Sequence, residues 1–173
     1  MLESVTAFVQ PWADYYSASA WLPTLVITVH VLSMFVGGGI ALGADRRVLL
    51  ATPGSSGAFL AMAEDLRATH GVVIGALVLM VCSGTALATA DIGTFATSLV
   101  FWSKMGAFVV LIANGARMRS AEHHLLTNAR NTIERSVAGP DVTGPWGTLR
   151  MHAWISLAFW CVVVVLGVVV ANI

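Results

Sequence analysis

Five histidines are distributed along this 173-residue chain, and three of them belong to strongly apolar stretches. His30 lies within "VITVHVLSMFVGGGIALG", His70 opens "HGVVIGALVLMVCSGTALA", and His152 opens "HAWISLAFWCVVVVLGVVVA". An imidazole can ligate iron or copper, and it can carry a proton near neutral pH. Lys104 falls inside a further apolar stretch, in "FWSKMGAF", and Asn114 follows in "IANGARMR". Ionisable side chains are costly in hydrocarbon, so His30 and Lys104 are functional candidates by default.

Two imidazoles on facing helices are the usual axial ligands of a b-type haem in a bundle core. The macrocycle is flat and bulky, so it needs small neighbours, and Arg or Lys at its edge neutralises the propionates. His70 with Arg67, and His152 with Arg150, meet these needs at one side of the membrane. His30 with Lys104 meets half of them at the other side, with Met105 or an unidentified group as sixth ligand. Gly37 and Gly38 leave room for either a macrocycle or a close helix contact. Two haems at two depths would give electrons a route across the bilayer.

Each feature also has a plainer explanation. His70 and His152 suit the headgroup region, and His123 and His124 suit a solvated loop. Lys104 has a stem long enough to snorkel to the interface. His30 is too deep for that, but a neutral ring bonded to a hydroxyl or carbonyl of a neighbouring helix would satisfy it.

These residues need apolar elements to hold them. The chain is 57% hydrophobic and 10% charged, with mean hydropathy +0.82, which no soluble core of this size could hide. Four stretches approach the roughly 20 residues needed to cross a bilayer. They run over about 22–44, 70–90, 99–116 and 152–171. Spans in lipid must satisfy their own backbone, and four strands cannot close a barrel, so the expected fold is all-α. One up-down-up-down four-helix transmembrane domain covers 1–173.

All eight arginines fall in the intervals 45–69 and 117–151, while the N-terminal twenty residues, the interval "DIGTFATS" and the C-terminal tail have no Lys or Arg. The positive-inside rule makes the two arginine-bearing loops cytoplasmic and puts both termini outside. The "WADYY" segment suits an outer interfacial belt or an amphipathic entry helix. At about 1.5 Å per residue, His30 lies roughly 12 Å and Lys104 roughly 8 Å below the outer boundary. His70 and His152 share the inner boundary. The N-terminus lacks a basic signal region, so Met1 is taken as the mature start. Cys82 and Cys161 read as small buried hydrophobes.

The zero formal net charge gives no sign of a nucleic-acid partner. All nine acids are assigned to loops, span ends or termini, which argues against a carboxylate-based proton or sodium transporter. No nucleophile–base–acid constellation or phosphate loop is present, so neither a hydrolase nor an ATPase is expected. His30, Met34, Met80, Cys82 and Met105 could line a copper path, though no Met/His-rich collecting loop accompanies them.

The segment "HVLSMFVGGG" resembles the first motif of copper-resistance-D-like membrane proteins and related small bacterial four-helix families. "CSGTAL" is similar to the end of their second helix, and Lys104 and Asn114 match polar positions of their third. The resemblance covers three of the four spans and points to His30, Gly37, Gly38, Lys104 and Asn114. It implies a bacterial inner-membrane protein with a link to copper and suspected haem binding, but no attached periplasmic copper domain is expected here. The expected function is a b-type cytochrome-like subunit carrying electrons between quinone and a partner protein of a redox complex. The alternatives are a cofactor-free structural subunit of a larger membrane complex and a copper or other metal permease.

Overall fold

A computed structural model describes residues 2–51, 56–134 and 143–172, and within 56–67 and 122–146 only some of the side chains. These described residues form six helices and no strand: α1 (Leu2–Ala18), α2 (Leu22–Leu50), α3 (Ser56–Ala90), α4 (Ile92–Thr97), α5 (Leu99–Glu134) and α6 (Thr143–Val170). Four of them contain stretches long and apolar enough to cross a bilayer: Leu22–Leu50, Ala68–Ala90, Leu99–Ala121 and Gly147–Val170. The chain is thus a multi-pass, all-α membrane protein. Exposed Val, Leu, Ile and Phe side chains on α2, α3, α5 and α6 present an apolar surface to lipid.

The helices run further than the apolar spans alone suggest. The apolar "VLL" after Arg46 and Arg47 carries α2 on to Leu50, where an extended Ala51 ends it. α5 likewise continues well past Ala116. The intervals 45–69 and 117–151, expected as loops, are therefore helical over much of their length. The expected polar turn "DIGTFATS" is largely the short helix α4. Asp91 caps it, accepting from the Thr94 amide at 3.3 Å. The Ser98 hydroxyl then accepts from the Phe101 amide at 3.3 Å and starts α5.

Buried positions recur at alternating spacings of three and four, the signature of a helix bundle. On α6 they are Leu149, Ala153, Ser156, Trp160 and Val163. On α3 they are Ala76, Met80 and Ser83, and on α5 Ala107, Leu111 and Asn114. On α2 they are Ser33, Gly37, Gly38, Asp45 and Val48. Two apolar layers result. Val48, Leu149 and Ala153 fill the arginine-rich end, and Met80, Leu111 and Trp160 fill the middle.

α2 packs on both α3 and α6, and α6 packs on α5, but α3 and α5 touch only sparsely. Glycines explain the tight contacts around α2. A Cβ on Gly37 would lie 3.0 Å from the Ala76 Cβ, and one on Gly38 would lie 3.1 Å from the Trp160 ring. α1 lies against α3, where the Trp12 indole donates to the Ala86 carbonyl at 3.0 Å. The "WADYY" segment is thus the last part of a docked helix.

Cys82 and Cys161 are free and exposed on outward faces. This corrects their assignment as buried hydrophobes. Their apolar surroundings made them look like core, yet their helical phase turns them away from the buried stripes.

Candidate functional site

Polar side chains gather at two levels. At the Lys104 level, the His30 ring places Nδ1 3.1 Å from the Met80 carbonyl and 3.0 Å from Ser83 Oγ. Ser83 spends its own proton on the Leu79 carbonyl at 2.6 Å, and a carbonyl can only accept. Nδ1 therefore carries the hydrogen, and Nε2 keeps the lone pair. Gly84 makes this approach possible, because a Cβ there would sit 3.0 Å from the ring Cε1. Lys104 lies within electrostatic reach of the ring, and its ammonium rests over Gly167, 3.5 Å from where a Cβ would be. Met80, a proposed copper-path residue, packs in the apolar core and offers only its carbonyl here.

Nearer the arginine-rich end, Asn114 and His152 lock α5 to α6. His152 Nδ1 donates to Asn114 Oδ1 at 2.7 Å, and Asn114 Nδ2 donates to the His152 carbonyl at 2.9 Å. His152 Nδ1 is thereby bound to a neighbouring helix, and Nε2 keeps its lone pair. Gly37 and Gly38 spend their space on Ala76 and Trp160, so the clearance they offered for a macrocycle is filled by protein. Arg150 is exposed, and the Arg67 side chain lies outside the described residues.

Between α3 and α5 a cavity of about 550 Å³ opens where these helices fail to pack. That volume falls within the range of small-molecule sites. Its walls are apolar: Val73, Ile74 and Leu77 on one side, Leu111 and Ile112 on the other, Trp160 behind. Ile74 and Ile112 also belong to the exposed apolar surface. His70 of α3 and Arg119 and His123 of α5 add polar groups to the lining, and Asp45 of α2 and Ser156 of α6 close its back. His70 thus shares a cavity with His123, while His152 does not line it.

Asp45 is the main departure from expectation. An acid assigned to a loop is only 3% exposed within a helix. Ser156 lines the same cavity, and Asp45 Oδ2 has no hydrogen-bond partner. The "DRR" run looked like a stop signal. The spacing of Gly38, Ala41, Asp45 and Val48, three or four apart, was the clue that Asp45 continues the buried stripe. His123 was missed because the helical extension of α5 was not followed back to the cavity.

Among the described residues, no three or more His, Cys, Asp and Glu converge as a metal site. Compared with known proteins, no family model matches the chain, and neither a curated protein nor a solved structure matches it. The geometry of its own residues is therefore what bears on function.

Proposed function

We propose that the chain is an electron-transfer subunit of a membrane redox complex that binds a quinone-class molecule in the cavity between α3 and α5. The carrying observation is the cavity itself, apolar on its walls with polar groups at its edge and back. A quinone has a flat ring, two acceptor oxygens and an apolar tail. The aliphatic walls suit the ring and tail, and His70, Arg119 and His123 are donors suited to the oxygens. By the arginine distribution this site belongs to the cytoplasmic half of a bacterial inner membrane, where a protein partner would exchange electrons with the ring.

Gly115 provides the test, because it lines the cavity and a Cβ there meets nothing within 4 Å. Gly115→Leu should push a side chain into the space without straining the fold. Quinone extracted from the purified protein and identified by chromatography should be present in the parent and lost in this variant. Equal retention in both proteins would refute the cavity as the site.

A second proposal places a b-type haem in the same cavity, because His70 and His123 line it from opposite helices. This pair differs from that of His70 and His152, because His152 does not line the cavity. The haem would supply single-electron exchange, and the two imidazoles would hold it. A Soret band in the purified protein, lost in both His70→Ala and His123→Ala, would favour it over quinone.

A further inference from the structure

Among the residues that line the cavity between α3 and α5, Arg119 is the permanent cation. It is exposed, so its side chain is open to a molecule that enters. Among the described residues no hydrogen bond or ion pair occupies its guanidinium. Asp45, the acid of the lining, is buried at the back and does not pair with it. His70 and His123 also line the cavity, and each already has an interaction within the protein. Gly115, Arg119 and His123 are spaced by four and share one face of α5. Arg117, also exposed on that helix, does not line the cavity.

A quinone that gains one electron becomes a radical anion with its charge spread over the two oxygens. Between apolar walls that charge is costly unless a cation meets it. A guanidinium meets it with a planar fork of donors and keeps its own protons. It therefore stabilises the anion without converting it to the neutral radical.

We infer that Arg119 holds the anionic, one-electron-reduced form of the quinone-class ligand, which makes the cavity a semiquinone site. The electron comes from a one-electron carrier of the partner protein. It enters the ring, no bond breaks, and no proton moves in this step. The inference rests on the cavity being a quinone site. It adds the redox state that the cavity favours, and so a place for the chain between two-electron quinol chemistry and one-electron carriers.

The full chain in lipid nanodiscs can be loaded with a short-tailed naphthoquinone, washed, and poised with redox mediators across the quinone midpoint. Electron paramagnetic resonance then counts the radical, and chromatography counts the quinone retained. The parent should show a radical signal that peaks at intermediate potential. Arg119→Gln keeps a neutral donor and should lower that peak about tenfold, because a charge-assisted hydrogen bond is roughly twice as strong as a neutral one. Arg119→Lys keeps the charge and should hold the peak within about threefold. Arg117→Gln should match the parent. All three variants should retain quinone within about threefold of the parent, since the neutral ring gains little from the charge.

A full radical peak in Arg119→Gln would overturn the inference. Equal loss in Arg119→Lys would do so too, because charge would then not be the cause. Equal loss in Arg117→Gln would reduce the effect to general surface charge and would also overturn it. A parallel loss of retained quinone in Arg119→Gln would mean that the arginine holds every redox state alike. Quinone retained by the parent with no radical at any potential would overturn the inference and leave the quinone site standing. Quinone not retained by the parent would sink the site and the inference together.

Discussion

The two polar levels of the bundle differ in how completely their hydrogen bonds close. At the Lys104 level, His30 finds the Met80 carbonyl and Ser83, and Gly84 lets it approach. Near the arginine-rich end, Asp45 keeps an oxygen without a partner beside a cavity of about 550 Å³. Both contain an ionisable group inside a span, but among the described residues only Asp45 has a fully buried side-chain atom without a hydrogen-bond partner, in a residue that lines a cavity. A buried polar group that the protein satisfies is explained by folding alone. One that it leaves unsatisfied calls for something from outside. Histidine in a span drew attention first, yet the aspartate carries the stronger functional signal.

Five substitutions would break or sharpen this contrast. Trp160 stands behind the cavity and fills the hollow over Gly38. Trp160→Ala should therefore cost about 3–5 kcal/mol, measured as the shift in detergent-unfolding midpoint. A much smaller loss would mean that the middle layer does not hold α2 to α6. Asn114→Leu comes next. It strands His152 Nδ1 and removes the side-chain donor to the His152 carbonyl, so the same assay should show about 2 kcal/mol of destabilisation.

His30→Ala should cost about 1 kcal/mol and leave quinone retention unchanged, because its bonds are internal to the fold. If retention collapsed instead, the Lys104 level would be functional too and the contrast would fail. The smallest effect belongs to Gly115→Ala, with Gly38→Ala as its contrast. Gly115→Ala should lie within about 0.5 kcal/mol of the parent. Gly38→Ala should be clearly destabilising, because its Cβ would press on the Trp160 ring at 3.1 Å. Equal stability of the two would show that Trp160 can retreat.

The four spans were legible because length and apolarity decide them with little help from tertiary contacts. Helix continuation was not. Charges at a span's end read as a stop, although "VLLA" after Arg47 still favours helix up to Leu50. That single misplacement moved Asp45 from the bundle to a loop and excluded carboxylate chemistry too early. The pairing of His70 with His152 came from matching depths. Depth says nothing about which helices are neighbours; His152 Nδ1 bonds Asn114 on α5, and its Nε2 keeps the lone pair. Asn114 was legible as a matched polar position, but its role as the partner of His152 depends on a cross-helix contact that one-dimensional spacing cannot express. The glycines were legible as space, and only the fold showed that Ala76 and Trp160 occupy it.

The sparse seam between α3 and α5 has an energetic consequence. Ile74 and Ile112 face both the cavity and the surrounding hydrocarbon, so a lipid-soluble molecule can reach the cavity sideways from the membrane phase. Such a molecule has already left water before it binds. Its tail exchanges one hydrocarbon neighbour for another and gains almost nothing by transfer. Selectivity among the many molecules dissolved in a bilayer then falls on the few polar groups around the seam, which are worth more here than the same groups in a water-filled cleft.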